Sequence, residues 1–315
     1  MNKSYIAFYP LEPFAVKDKI NGICSDREVT FTEQMSEIIY NYKFNYFELE
    51  MFRDGRIMFE LRHSNDMPEM LDIERHIICW NKWLLKLNAF YLILASEINQ
   101  SKVNPFFSVS ALTSRDVFLM SIRDGEVREG LIDNSSFRKH QYARLSSNYL
   151  EAIRENPKIA MGYVADIDTL NKVSQCFEMI LSISGLTKTI AFLTKSIGEY
   201  ELGQFDTSII FSWFCIERLL KAKAKAKAKA KAKAKAKETI FSVIESQKED
   251  LGDELYESLN KVRLNRNDIV HHDVRLDIKQ KDAMLAIITA INLIDKYHCI
   301  KLEPRISINV KAFCL

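Results

Sequence analysis

Residues 255–271 read LYESLNKVRLNRNDIVH. Leu255, Leu259 and Val262 recur at the three-to-four spacing of one helix face, and that stripe projects onto Arg266 and then onto Ile269 and Val270. The period predicts a helix starting near Asp253 with an arginine on its core-facing side. A buried guanidinium without a partner is costly, so a neighbouring element is expected to supply an anion. Upstream, Ile210, Trp213, Phe214 and Leu220 mark a second apolar stripe, which contains Glu217. Opposite charges on two core-facing stripes predict that these helices pack together and that Glu217 pairs with Arg266. A salt bridge that only fixes helix register is the plain structural alternative.

Working outward, the chain from about Asn148 is patterned as helix almost throughout. One helix is expected to run through Val173, Phe177, Ile180 and Leu181 onward to Ile197. The Trp213 helix follows after Gly203, then a short helix over 238–247 that Gly252 breaks. The last helix begins after Asp277, where Asp277 and Gln280 have the spacing of a capping box, and continues through Met284, Ile287, Ile291 and Ile294 to about Tyr297. The polar stretch 132–146 reads as a linker, which sets the expected boundary between domains 1–146 and 147–315.

The first half mixes strands and helix. Tyr46–Phe52 and Ile57–Arg62 flank Asp54-Gly55, a strong hairpin signal, because glycine accepts the positive φ of a tight turn. A second strand pair is expected from Phe106–Leu112 with Val117–Ile122. Between the two pairs, Ile73, Ile77, Trp80, Leu84, Leu87, Tyr91 and Leu94 keep helical spacing over roughly 72–99. The expected fold is an α+β domain followed by an all-α bundle.

The chain has 315 residues, 47% of them hydrophobic, with only 9 Gly and 6 Pro. That composition excludes wholesale disorder and disfavours a many-turned β sandwich. The net charge of +2 conceals two opposed parts. Nine lysines stand at the odd positions of 221–237, and without them the remainder carries −7. Eight consecutive Lys-Ala units fill 221–236; both residues favour helix, so the block is expected to extend the Trp213 helix as a solvated rod. Three readings of it stand: a tandem expansion or engineered insert in a tolerant loop, which is favoured; a basic arm in which Lys221, Lys223, Lys225, Lys227 and Lys229 hold RNA phosphates; and a regulatory spacer. The six cysteines form no C-x-x-C pair, and Cys79, Cys176 and Cys215 lie in apolar helical stretches, so reduced buried thiols are expected. No metal, cofactor or membrane span is expected: the most apolar stretch, Ile77–Ile98, carries Lys82, Lys86 and two Asn. With no signal core behind Met1, the chain reads as cytoplasmic.

Arg266-Asn267-Asp268-Ile269-Val270-His271 has the form Arg-x4-His, which by itself is weakly specific. Arg56 and His63 fit a looser version on the predicted hairpin and read as solvated surface residues. The helix Phe211–Leu220 with its embedded Glu217, the Arg266-Asn267…His271 motif and the long apolar helix after it together resemble the HEPN superfamily, in its Apea-like branch, over about residues 170–300. The Lys-Ala block departs from that pattern.

The resemblance implies metal-independent RNA cleavage by a dimer that brings two Arg-x4-His motifs into one cleft, in toxin or antiviral-defence settings. RNA supplies its own nucleophile, the 2′-hydroxyl. His271 would serve as acid/base and Arg266 would stabilise charge on the phosphate; Asn267 would orient the phosphate or the motif, and Glu217 would hold Arg266 or His271. His272 is the alternative catalytic histidine. Positions 266 and 271 lie about 140° apart round an ideal helix, so either the helix breaks between them or two subunits supply complementary residues. The N-terminal domain would then sense an activator or inhibitor. A non-catalytic binding module, or polyanion binding through the Lys-Ala block, are the competing functions.

Overall fold

The computed structural model describes residues 3–10, 14–17, 37–53, 55–61, 73–100, 108–123, 126–129, 163–230, 239–271 and 279–308. The chain divides into two compact units, Met1–Ser182 and Ile183–Leu315. The expected linker at 132–146 lies outside the described residues.

In the first unit a six-stranded antiparallel sheet has the order β3-β4-β5-β1-β6-β7, from β1 (Lys3–Phe8), β3 (Ile38–Lys43), β4 (Glu48–Phe52), β5 (Ile57–Glu60), β6 (Val117–Arg123) and β7 (Glu126–Glu129). The strand β2 (Phe14–Lys17) pairs in parallel with β8 (Tyr163–Asp166). The predicted hairpin is β4–β5, with Leu49 opposite Phe59 and Met51 opposite Ile57, and Gly55 takes φ 81 at its turn. The second predicted pair does not form. Residues 108–112 are not strand; β6 pairs instead with β1, Lys3 opposite Ile122 through Phe8 opposite Val117, and with β7. Both faces of β1 are covered, and Tyr5, Ile6, Ala7 and Phe8 are all buried.

The predicted long helix is α1 (Ile73–Gln100), and α2 (Ile167–Ser182) lies beside it. Both pack on the sheet through one aromatic layer. Phe59 meets Phe90 at 5.1 Å and Phe177 at 6.1 Å between ring centroids, and Phe177 meets Phe44 at 5.6 Å edge-on. The Tyr40 hydroxyl donates to the Leu170 carbonyl at 3.0 Å and ties β3 to α2. Within α1, Ile77–Gln100 is the one stretch among the described residues long and apolar enough to cross a membrane; 56% of its most apolar window is buried in the fold.

The opposite sheet face carries the cluster Tyr5, Ala7, Tyr9, Phe52, Met58, Phe118 and Met120. At its edge the Lys3 ammonium sits 3.0 Å from Glu48 and 3.3 Å from Glu50. Arg56 is not a solvated residue. It is buried, donates from Nε to the Tyr9 hydroxyl at 2.6 Å and lies over the Phe52 ring at 4.6 Å. His63 lies outside the described residues.

The second unit is helical: α3 (Leu186–Glu201), α4 (Phe205–Ala230), α5 (Ile240–Glu245), α6 (Lys248–Leu251), α7 (Asp253–His271) and α8 (Gln280–His298). The single helix expected from Val173 to Ile197 is two, α2 and α3. Gly185, at φ 81, stops the helical path between them. α3 and α4 form an antiparallel hairpin: the Ser196 hydroxyl donates to the Ser208 carbonyl at 2.7 Å, while Arg218 reaches the Gly185 carbonyl at 3.4 Å. α8 packs against α3, α4 and α7, which completes a four-helix core. The N-cap of α8 is Lys279, with no side-chain cap bond, and the Gln280 amide donates to the Tyr200 hydroxyl at 2.9 Å. Asp277 lies outside the described residues.

Candidate functional site

The Arg-x4-His motif occupies the last two turns of α7. Gly252, at φ 80, ends the preceding helical turn, and α7 then runs without interruption to His271. Leu259 and Val262 are buried, as their spacing requires, against the neighbouring helices α4 and α8. Beyond Val262 the helix loses cover: Arg266 and Asn267 are half-buried, Val270 is 48% exposed and His271 is exposed. Of the two expected arrangements, a helix break between Arg266 and His271 is therefore not present. The two side chains leave one continuous helix about 140° apart. His272 lies outside the described residues.

The Arg266 guanidinium donates from Nη1 to Oδ1 of Asn267 at 3.1 Å, so the polar residue after the arginine orients it. Glu217 does not pair with Arg266. Its carboxylate is bonded to the Lys221 ammonium, one turn further along α4. The reason is a rotation of α4 relative to the expected stripe. Its buried line runs Ile209, Trp213, Ile216 and Leu220, which turns Phe214 out to 40% exposure and carries Glu217 to the flank. A half-buried arginine still reaches solvent and needs no buried counter-charge.

Asn265 is a further residue of the site that the sequence pattern does not mark. Its side-chain nitrogen is buried without a hydrogen-bond partner, one residue before Arg266. No spacing rule singles out such an asparagine, because its position depends on how α7 beds against its neighbours.

The start of the lysine block is partly used by the fold. Lys221 holds Glu217, and the Lys223 ammonium lies 5.2 Å from the Tyr297 ring centroid on α8. Lys225 is exposed. Lys227 and Lys229 belong to the helical run that continues to Ala230. Of the cysteines, Cys79 and Cys215 are buried and Cys176 is half-buried, and none of the three is in a disulfide. Burial, with the Glu97 charge adding to it, pushes Cys176 up to about 11, which leaves it a poor nucleophile at neutral pH. Among the described residues, no three His, Cys, Asp or Glu side chains cluster to hold a metal ion.

No protein family, curated protein or solved structure matches this chain.

Proposed function

We propose that the helical unit is a metal-independent endoribonuclease of the HEPN type, acting as a homodimer in a cytoplasmic toxin or defence setting, with the first unit as its regulatory part. The observation that carries this reading is the pair Arg266 and His271, both accessible at the open end of one unbroken helix, with Asn267 orienting the arginine. Side chains about 140° apart do not face the same phosphate from one helix. A second copy of α7 supplies the complement, and the exposed Leu264 and Val270 beside the motif give that contact an apolar component.

In such a cleft a His271 imidazole takes the proton from the RNA 2′-hydroxyl, whose oxygen attacks the adjacent phosphorus. The bond from phosphorus to the 5′-oxygen breaks, and that oxygen takes a proton from water while the imidazolium gives its own back to solvent. Arg266 stabilises the charge that builds on the pentacoordinate phosphate. The products carry 2′,3′-cyclic phosphate and 5′-hydroxyl ends. The test is cleavage of single-stranded RNA and transfer RNA in excess EDTA. The parent chain is expected to leave cyclic phosphate ends, and His271→Ala is expected to remove cleavage while keeping its thermal transition. Equal cleavage by both would overturn the assignment of His271.

A further inference from the structure

The hairpin of α3 and α4, wholly within the second unit, carries an aromatic strip on its outer side. Lys188, Phe192 and Lys195 follow one another at intervals of four and three along α3, and Phe211, Phe214 and Arg218 at three and four along α4. That spacing puts each trio on one helix face. The buried lines run along the opposite faces, through Ile190, Leu193 and Ile197 on α3 and Ile209, Trp213, Ile216 and Leu220 on α4. The strip is therefore not the side by which the hairpin enters the bundle core.

Its rings reach solvent. Phe214 is 40% exposed, and Phe192 and Phe211 are half-buried. Phe192 and Phe211 stack with 19° between their planes and 6.3 Å between centroids, and Phe214 lies 5.6 Å from Phe192. Cations stand at both ends. The Lys188 ammonium is 5.7 Å from the Phe192 centroid, and the Lys195 ammonium is 5.7 Å from that of Phe211. A ring face draws an ammonium without cancelling its charge. Arg218 is held in place by its bonds to the Thr189 hydroxyl at 3.3 Å and the Gly185 carbonyl at 3.4 Å. The carboxylates nearest in sequence are Glu199, one turn beyond Lys195, and Glu217, which Lys221 holds.

We propose that this strip binds single-stranded nucleic acid, with bases on the phenylalanines and phosphates on Lys188, Lys195 and Arg218. Exposed rings beside cations match a strand that offers unpaired bases and phosphates together. A duplex keeps its base faces inside the stack and leaves the rings idle. A second copy of the strip would bring cation against cation, which is unfavourable. Half-buried rings do not reach the acyl boundary of a bilayer, which excludes a lipid surface as the better occupant. The binding surface needs nothing from the nuclease motif; that its occupant is RNA rests on the nuclease reading.

The test is fluorescence anisotropy of the full chain with a labelled ten-nucleotide oligothymidylate and with an abasic deoxyribose phosphate strand of the same length. Neither strand has a 2′-hydroxyl, so binding is read whether or not the chain cleaves RNA. The lysine block attracts both strands alike, and only stacking tells them apart. The parent is expected to bind oligothymidylate about tenfold more tightly than the abasic strand. Phe214→Ala is expected to remove that preference and leave abasic binding unchanged. Lys188→Gln combined with Lys195→Gln is expected to weaken both strands on the order of three- to tenfold. These side chains lie outside the buried core, and an unchanged thermal transition would verify that the variants are folded. Equal binding of the two strands by the parent would overturn the proposal, as would a base preference that Phe214→Ala retains. A Phe214→Ala chain that sediments with a lower mass than the parent would assign the strip to a contact between copies and would overturn it too.

Discussion

The Glu217 carboxylate is paired with the Lys221 ammonium one turn along the same helix, and the Arg266 guanidinium donates instead to Oδ1 of its neighbour Asn267. An exposed pair four residues apart contributes little, so Glu217→Gln is expected to cost no more than about 0.5 kcal/mol in urea unfolding. Its RNA cleavage is expected to stay within a few-fold of the parent. A loss of several kcal/mol would instead show a buried counter-charge for Arg266, and the description of α4 would be wrong.

Two glycines should differ in what they tolerate. A Cβ at Gly55 would stand 2.2 Å from the Phe14 carbonyl oxygen, and the backbone there has φ 81. Backbone atoms cannot yield, so Gly55→Ala is expected to destabilise the first unit by at least about 2 kcal/mol. A Cβ at Gly185 would meet only the end of the Arg218 side chain, at 3.1 Å, although φ is again 81. Gly185→Ala is therefore expected to cost roughly 1 kcal/mol, the conformational part alone. Denaturant unfolding of both variants checks the order.

These glycines also show where local pattern is readable. Asp54-Gly55 between two alternating runs announces a hairpin, since the turn and both strands lie within fifteen residues. The spacing of Leu87, Tyr91 and Leu94 likewise announces α1. The pairing of residues 3–8 with 117–122 leaves no comparable mark, because strand partners distant in the chain share no spacing. Gly185 leaves no mark in the spacing, because the apolar period of Ile180 and Leu181 continues into Leu186 and Ile190, which belong to a second helix. At the candidate site the motif itself was legible, but the register of α4 was not. Apolar residues stand on both sides of the true buried line of this aromatic-rich helix, so a small rotation that moves Glu217 from core to flank leaves no mark in the pattern. The cleft beside the β3–β4 loop is assembled from residues 44–47, 83–86 and 178–182, so no contiguous motif announces it.

His298, near the C-terminal end of α8, carries a pH dependence. Partial burial holds its pKa below the usual histidine value, and the Lys223 charge pushes in the same direction. A histidine depressed in the folded state favours folding while neutral. Its contribution is present above the unfolded value of about 6.5 and is lost as pH falls through the lower folded value. The helical unit is therefore expected to lose stability as pH falls below about 6.5. Lys223→Ala is expected to raise the His298 midpoint, read from its imidazole proton shifts by NMR. An unmoved midpoint would show that Lys223 does not lie beside α8.

The most direct test of the composite site is subunit mixing. Arg266→Ala and His271→Ala chains are each expected to be inactive on RNA in EDTA. When the two are unfolded together and refolded, mixed dimers hold one intact Arg266 and one intact His271 on different chains. If two copies of α7 build the site, the mixture regains on the order of a tenth to a half of the parent rate, a gain that no contaminating nuclease can mimic. A mixture that stays as inactive as its components, beside an active parent treated identically, would contradict a site shared between two chains.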